Sequence, residues 1–318
     1  MKHSDEEETP LALHTTKHKS GDHAAPVGMA AQRKITRRGF LRATGRFTVV
    51  SLGATAGSGA WARKVEPGWI DIENVSLTLP RLPRSFDGYR LVHVSDLHVD
   101  GWMNEARLEH VVQLINRQQP DAVAITGDFV TRYDEVWGDI LVNVLPGLKA
   151  KDGVYGVLGN HDHWWKPNYV SKAISDGNVH ELANSVHSIK RGTDRLHLCG
   201  VDDVWEKAHD LPLVLQQLDK RPVGCAVLLA HEPDFADESS KHDRFDLQLS
   251  GHSHGGQVRV PFFGSPILPK LGQKYYSGHY QVGTLQQYTT RGVGNVGPRL
   301  RFNCRPEITV LTLRSPIV

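Results

Sequence analysis

From residue 69 onward the chain switches between two hydrophobic periods. Between Trp69 and Leu79 the apolar positions Ile70, Ile72, Val75, Leu77 and Leu79 stand among polar neighbours, with a slip near Asn74; this predicts a strand. A compact apolar run over 90–95 predicts a second strand, which stops at Asp96. The period then becomes helical from Asn104 to Gln118, with Leu108, Val111, Val112 and Ile115 on one face and Asn104 as the cap. Asp121 to Gly127 predicts a buried strand stopping at Asp128, and Asp134 to Leu148 a helix broken at Pro146. Val154 to Leu158 predicts another strand, stopping at Gly159-Asn160-His161-Asp162.

The second half keeps this rhythm with less helix. Strands are predicted over Arg195 to Val201, Gly224 to Ala230 (stopping at His231), Phe245 to Ser250 (stopping at Gly251-His252-Ser253-His254) and Ile308 to Leu313, with a short helix over Asp210 to Leu218. Asp96, Asp128 and Asn160 fall 32 residues apart, twice over. A strand–helix–strand unit takes about 30 residues. Right-handed crossovers set such strands side by side, and loops at their carboxyl ends converge on one crevice. The class is therefore α/β, with oxygen-bearing side chains delivered to one place. There is no internal repeat, and no linker long enough to divide the body.

The first 62 residues differ. Residues 1–34 are polar, with an acidic cluster from Asp5 to Glu8 and four scattered histidines, and are expected to be disordered. Residues 35–62 hold Arg37-Arg38-Gly39-Phe40-Leu41, an apolar Gly/Ala/Ser-rich run from Phe47 to Ala60 and the small-x-small close Ala60-Trp61-Ala62. That order resembles a twin-arginine export signal. It implies passage through the twin-arginine translocase to the periplasm or cell envelope, with a membrane tether if the signal stays uncleaved. The run is shorter than the roughly 20 apolar residues that cross a bilayer. This segment carries 9 Lys+Arg against 5 Asp+Glu, so the net +2 of the whole chain leaves a slightly acidic body without a basic run. Nucleic acid is therefore not an expected partner. Cys199, Cys225 and Cys304 are too few and too scattered for a disulfide framework and are expected to be small buried hydrophobes.

Taken in order, the residues at the strand ends are Asp96-x-His98, Gly127-Asp128, Gly159-Asn160-His161-Asp162, His231 and Gly251-His252-x-His254. This set resembles the calcineurin-like metallophosphoesterases. Further blocks, Tyr276-x-Gly278-x-Tyr280, Arg291-Gly292-x-Gly294 and Pro306-Glu307-Ile308, resemble a branch of exported bacterial phosphodiesterases. Mixed carboxylate, imidazole and amide ligands suit Mn, Fe, Zn or Co better than Ca, and no cysteine lies at these positions for a thiolate zinc site.

The resemblance implies a four-layer α/β/β/α sandwich as a single catalytic domain over 63–318. It also implies two divalent transition-metal ions: one on Asp96, His98, Asp128 and His254, the other on Asp128, Asn160, His231 and His252, with Asp128 bridging. The implied activity is metal-dependent hydrolysis of a phosphoester, a phosphodiester first, by a bridging hydroxide. The alternatives are a phosphomonoesterase or a lipid or nucleotide-sugar pyrophosphatase of the envelope; a nuclease would share every ligand, whereas a non-catalytic binding module usually lacks ligands and none is missing here. His161 is the candidate to protonate the leaving group or bind a transition-state oxygen. Many relatives place an Asp three residues after the bridging Asp to orient this histidine; here Thr131 stands there, and Asp162 or Asp134 is a candidate substitute. Arg291 and His163 are candidate substrate contacts, with an ion pair and a surface loop as their respective alternatives. Trp164-Trp165 can receive an apolar part of a substrate or simply pack, and His93 is expected to be a core histidine.

Overall fold

The computed structural model describes residues 57–316. The expected disordered segment 1–34 and most of the 35–62 signal, including both arginines, lie outside the described residues. Residues 57–64 are helical, so the 62/63 boundary falls within a helix; Ala62 is buried, and its carbonyl accepts from Arg301 N at 2.9 Å.

In chain order the strands are β1 (Asp71–Thr78), β2 (Tyr89–Val94), β3 (Ala122–Thr126), β4 (Val154–Val157), β5 (His180–Glu181), β6 (Ser185–Arg191), β7 (Asp194–Gly200), β8 (Cys225–Leu229), β9 (Leu247–Ser250), β10 (Gly278–Val282), β11 (Leu285–Thr289) and β12 (Glu307–Arg314). The longer helices are α1 (Glu105–Arg117) and α2 (Glu135–Val144), the short α3 (Asn160–Trp165), α4 (Pro167–Asp176) and α5 (Leu211–Asp219). Asn104 caps α1 by accepting from Arg107 N at 3.2 Å, and Asp134 caps α2 by accepting from Val136 N at 3.1 Å. After Val144 the chain tightens into a 3₁₀ turn over Leu145–Gly147, where Pro146 ends the helix.

Two six-stranded mixed sheets result, ordered β1-β12-β2-β3-β4-β5 and β10-β11-β9-β8-β7-β6. Three apolar layers define the stack. Leu91, Ala122, Ala124 and Tyr155 of the first sheet meet Leu198, Val227, Leu229 and Leu249 of the second. Val92, Val123 and Ile125 face outward onto Leu108, Val111 and Ile115 of α1, Leu141 of α2 and Ile174 of α4. Cys199, Ala226 and Leu228 face outward onto Leu211, Val214 and Leu218 of α5. This is the four-layer α/β/β/α arrangement. Buried on both faces, the central strands read as continuous apolar runs.

The slip near Asn74 has a simple cause. Ile70 and Ile72 point to the helix layer, whereas Val75, Leu77 and Leu79 point between the sheets. Successive side chains leave opposite faces of a strand, so one regular strand serves both layers. The closing strand β12 inserts between β1, to which it runs parallel, and β2, to which it runs antiparallel. All three cysteines are free and buried, and burial pushes the Cys199 thiol up to about 12. His93 is fully buried, bonded to Thr126 Oγ1 at 2.8 Å, and burial lowers it to about 3. Among the described residues no helix is long and apolar enough to cross a membrane.

Candidate metal centre

β2, β3 and β4 run parallel as neighbours in one sheet, as do β8 and β9 in the other, so five carboxyl-end loops open on one edge of the sandwich. The ladder between β2 and β3 continues past both strands: Asp96 N donates to Gly127 O at 3.0 Å and His98 N to Asp128 O at 2.9 Å. This fixes Asp96, His98 and Asp128 in register. The two sheets are tied at the same level by His231 Nδ1 to Thr126 O at 2.6 Å and by His252 N to the Asp96 carboxylate.

Asp96 (φ 55°), His98 (49°), Asp128 (53°), His252 (66°) and His254 (51°) all adopt left-handed backbone. Asp and His tolerate that region better than most residues, but each such position costs on the order of 1–3 kcal/mol. Such strain persists only where surrounding structure enforces it. Two glycines show the crowding: a Cβ on Gly159 would strike Asp128, and one on Gly251 would strike Ser95 and Asp96.

The result is a buried cluster of facing acceptors. His98 Nε2 lies 3.1 Å from His254 Nε2, 3.5 Å from Asp128 Oδ2 and 3.9 Å from Asp96 Oδ1; His254 Nε2 lies 3.3 Å from Asp96 Oδ1. His231 Nε2 lies 3.3 Å from Asp128 Oδ2 and 3.3 Å from His252 Nδ1. Carbonyl partners settle two tautomers. His231 Nδ1–H donates to Thr126 O, and His252 Nε2–H donates to Lys270 O at 2.9 Å. A neutral imidazole carries one N–H, so bare His231 Nε2 and bare His252 Nδ1 face each other across 3.3 Å beside a carboxylate. Two lone pairs in that position need a positive charge between them, a proton or a metal ion. The Oδ1 of Asn160 is buried and has no hydrogen-bond partner. Atoms held about 2.1 Å from one ion stand about 3.0–3.4 Å apart in octahedral or tetrahedral geometry, close to the spacing seen. The donor set thus fits transition-metal ions, and two groups that can hold one are Asp96, His98, His254 and Asp96, Asp128, His231.

Electrostatics agrees for three of the four histidines; at His231 burial is outweighed by the Asp128 and Asp96 carboxylates, which hold it well above the usual imidazole range, so an ion bound there would displace a proton. Burial lowers His98 to about 3 and, with His98 beside it, holds His254 well below the usual range; burial and His231 lower His252. Neutral imidazole is the ligating form. Burial, with Asp128 adding to it against the opposing pull of His231, raises Asp96 to about 6. For Asp128 burial acts the same way, but the His231 and His161 imidazoles reverse it and hold this carboxyl well below the usual range.

A cavity of about 350 Å³ opens on the cluster, lined at its floor by Asp128, Asn160, His161, His252 and His254. The His161 Nδ1–H donates to the main-chain carbonyl of Thr131 at 2.9 Å, which leaves Nε2 for the cavity, and its ring packs on Trp164 at 4.7 Å. The orienting acceptor is thus supplied by residue 131 after all, through its backbone, while the Thr131 hydroxyl turns to Asp100. Neither Asp162 nor Asp134 takes that part. Asp134 caps α2, and Asp162 accepts from Phe129 N, Val130 N and Gly159 N at 3.0–3.2 Å, locking the loop after β3 to the start of α3. Asp162→Ala would leave three buried N–H groups unpaired, at about 1–3 kcal/mol each. A loss of about 3 kcal/mol or more is expected in denaturant unfolding, and a change below about 1 kcal/mol would refute this bracing role.

The structure sets both candidate substrate contacts against acidic partners. Arg291 turns its guanidinium away from the cavity, with Nε 2.7 Å from Glu307 Oε2 and NH2 3.0 Å from Glu73 Oε1. Its block matters through backbone: Gly292 lies against Asp96, and Gly294 N donates to Asp96 O at 2.8 Å. His163 is drawn off by Asp202, 2.7 Å away. Of the tryptophan pair, Trp164 lines the cavity. Sequence reasoning missed Trp205, which lines the cavity beside His252, and Arg301, fully buried, whose guanidinium donates to the carbonyls of Arg291, Gly292 and Gly294 and so holds the loop that packs on Asp96. Neither stands near a strand-end block, where the signal lay.

Comparison with known proteins supports this site. Residues 89–256, a span that includes every candidate ligand, match the calcineurin-like phosphoesterase family. The chain is 34% identical over 289 residues to an uncharacterized metallophosphoesterase, YkuE, of Bacillus subtilis (strain 168), covering 89% of this chain and 99% of that protein. It is 29% identical over 282 residues to phosphodiesterase YaeI of Escherichia coli (strain K12), covering 88% and 99%. It is 26% identical over 309 residues to UDP-2,3-diacylglucosamine pyrophosphatase LpxG of Chlamydia trachomatis (serovar D), covering 79% and 91%. Fold, donor chemistry and likeness converge, and the chain belongs to the calcineurin-like phosphoesterases, metal-dependent hydrolases of phosphoester bonds.

Proposed function

We propose that this protein hydrolyses phosphodiesters outside the cytoplasm, using two divalent transition-metal ions. Asp96, His98, Asp128 and His254 would hold one ion, and Asp128, Asn160, His231 and His252 the other. The observation that carries this reading is the placement of Asp128. Its Oδ1 accepts from His161 N at 2.9 Å, while Oδ2 faces His98 Nε2 on one side and His231 Nε2 on the other. One carboxylate thereby joins two imidazole clusters.

When bound, such ions supply charge neutralisation for phosphate oxygens and acidify a water. The chain's own groups do the rest. His161, its Nδ1–H fixed on Thr131 O, presents Nε2 to the cavity; as imidazolium it carries there the proton that a leaving oxygen needs and returns to the neutral Nδ1–H form on giving it up. The cavity beyond the cluster has room for a second ester group, and a relative named as a phosphodiesterase supports a diester over a monoester. A pyrophosphate is the second reading, favoured by the relative named as a pyrophosphatase. Export rests on Arg37-Arg38, the apolar 47–60 run and Ala60-Trp61-Ala62.

Cell fractionation tests both parts. Bacteria producing the full chain are separated into cytoplasmic, membrane and released fractions, and each is assayed with bis-p-nitrophenyl phosphate, p-nitrophenyl phosphate and a pyrophosphate diester. Diester hydrolysis outside the cytoplasm, abolished by a chelator and restored by Mn, Fe, Zn or Co, is expected. Turnover indifferent to chelation would sink the chemistry; activity confined to cytoplasm would sink the export.

A further inference from the structure

Between His254 and Tyr275 lies a loop that the phosphoesterase site does not explain. Its tip exposes three large apolar side chains within six residues: Phe262 fully, Phe263 at 87% and Ile267 at 79%. Scattered single hydrophobes are ordinary on a surface, whereas a contiguous cluster marks an interaction site. The tip is also built. Val260 and Gly264 close it with reciprocal backbone bonds of 2.8 and 2.9 Å, and Phe262 sits at φ 68°, a left-handed conformation unusual for a bulky residue. Strain that projects an aromatic ring into water points to something outside the chain that receives it.

Two further observations say what that is. Lys270, exposed, and Arg259, half-buried with its Nε on Gly255 O at 3.0 Å, stand on either side of the tip, their charges over the rings of Trp205 and Tyr276 and in no ion pair among the described residues. An apolar and aromatic tip with an exposed lysine beside it and no acidic partner suits an interface with anionic headgroups. The loop is also the wall of the metal-site cavity, through Val258, Pro266, Ile267 and Pro269, opposite the half-exposed Trp164. Ile267 thus belongs both to the exposed apolar group and to the wall of the cavity that opens on the cluster.

We infer that the 258–270 loop docks on an anionic lipid bilayer and that the cavity takes an amphiphilic phosphoester from it, the apolar chain lying along the loop wall and the phosphate on the cluster. The substrate half rests on the proposed phosphoester hydrolysis; the docking half stands without it.

The two halves have separate readouts. Because the native cysteines are buried, Phe263→Cys in the full chain can be labelled selectively with an environment-sensitive fluorophore, with Val223→Cys, 85% exposed elsewhere, as control. Vesicles of phosphatidylethanolamine and phosphatidylglycerol should blue-shift the label at 263 and spin-labelled lipid should quench it, with neither effect at 223. No quenching at 263 overturns docking, even where the N-terminal segment carries the protein to the vesicles. Burial of 263 on raising protein concentration without lipid would assign the tip to a second copy and also overturn it. For the substrate half, Phe262→Ser/Phe263→Ser should keep the parent rate on bis-p-nitrophenyl phosphate and lose at least about tenfold on a phosphoester with a long alkyl chain carried in vesicles. Equal rates on the vesicle-borne ester overturn it. Absence of all hydrolysis in the parent would instead sink the functional reading and leave the fluorescence result standing.

Discussion

Replacing Asp128 by Asn is expected to strip the protein of transition metal and of turnover together, each by at least about 100-fold. Even residues that only support a metal ligand cost about 10–100-fold in affinity when changed, and Asp128 faces both imidazole clusters itself. The substitution is nearly isosteric. An amide oxygen can still accept from His161 N, so the loop after β3 keeps its shape. What changes is the other atom: an amide nitrogen would point two donors where Oδ2 now meets His98 and His231, and a buried negative charge is lost. Metal-free, the variant is expected to be less stable than the parent, because it loses the buried pairing with His231 that holds the Asp128 carboxyl well below its usual range. The parent should gain thermal stability on adding metal and the variant should not, since a ligand stabilises only the state that binds it. Elemental analysis and paired melting curves with and without metal are the checks. Parent-like metal content in the variant would remove Asp128 from the centre.

How much of this was legible beforehand follows from where the physics is local. The central strands showed because both faces are buried, and α1 showed because one face packs and Asn104 caps it. Helix α4 was missed although Val170, Ala173 and Ile174 carry helical spacing; that signal was present. Strand β6 buries Val186 and Ile189, three apart, so its period is hidden. Strand β11 buries Gln287, whose amide nitrogen donates to Thr289 Oγ1, and a buried polar pair reads as surface. The insertion of β12 between β1 and β2 is a pairing between chain ends, which no local pattern carries.

At the site, the strand-end blocks were readable because a ligand must be a particular residue type at a particular strand end. Arg291 left a phosphate contact and an ion pair both open for a physical reason. A guanidinium fork fits a carboxylate and a phosphate equally well, and sequence does not show that Glu307 and Glu73 are nearer. Thr131 misled, because the missing carboxylate suggested a missing acceptor, whereas the main chain supplies one. The left-handed backbone at five of the seven candidate ligands is likewise invisible in sequence, since Asp and His occur there without any glycine to announce it.

That carbonyl also shapes the expected behaviour of His161. With Nδ1–H held by Thr131 O, a proton on Nε2 is the one free to move into the cavity, and removing the ring removes it without touching a candidate ligand. His161→Ala should therefore keep the parent's metal content. It should lose about 10²–10⁴-fold in kcat, the usual contribution of a positioned acid. The loss should depend on the leaving group. A p-nitrophenolate departs readily without a proton, so the variant should suffer least on p-nitrophenyl esters and most on alkyl esters. Losses equal for both would assign His161 to binding transition-state oxygens instead of to proton transfer. Parent rates on both would exclude it from the chemistry, and loss of metal would place it among the ligands, beside His98 and Asp128 with which it already forms a tight group.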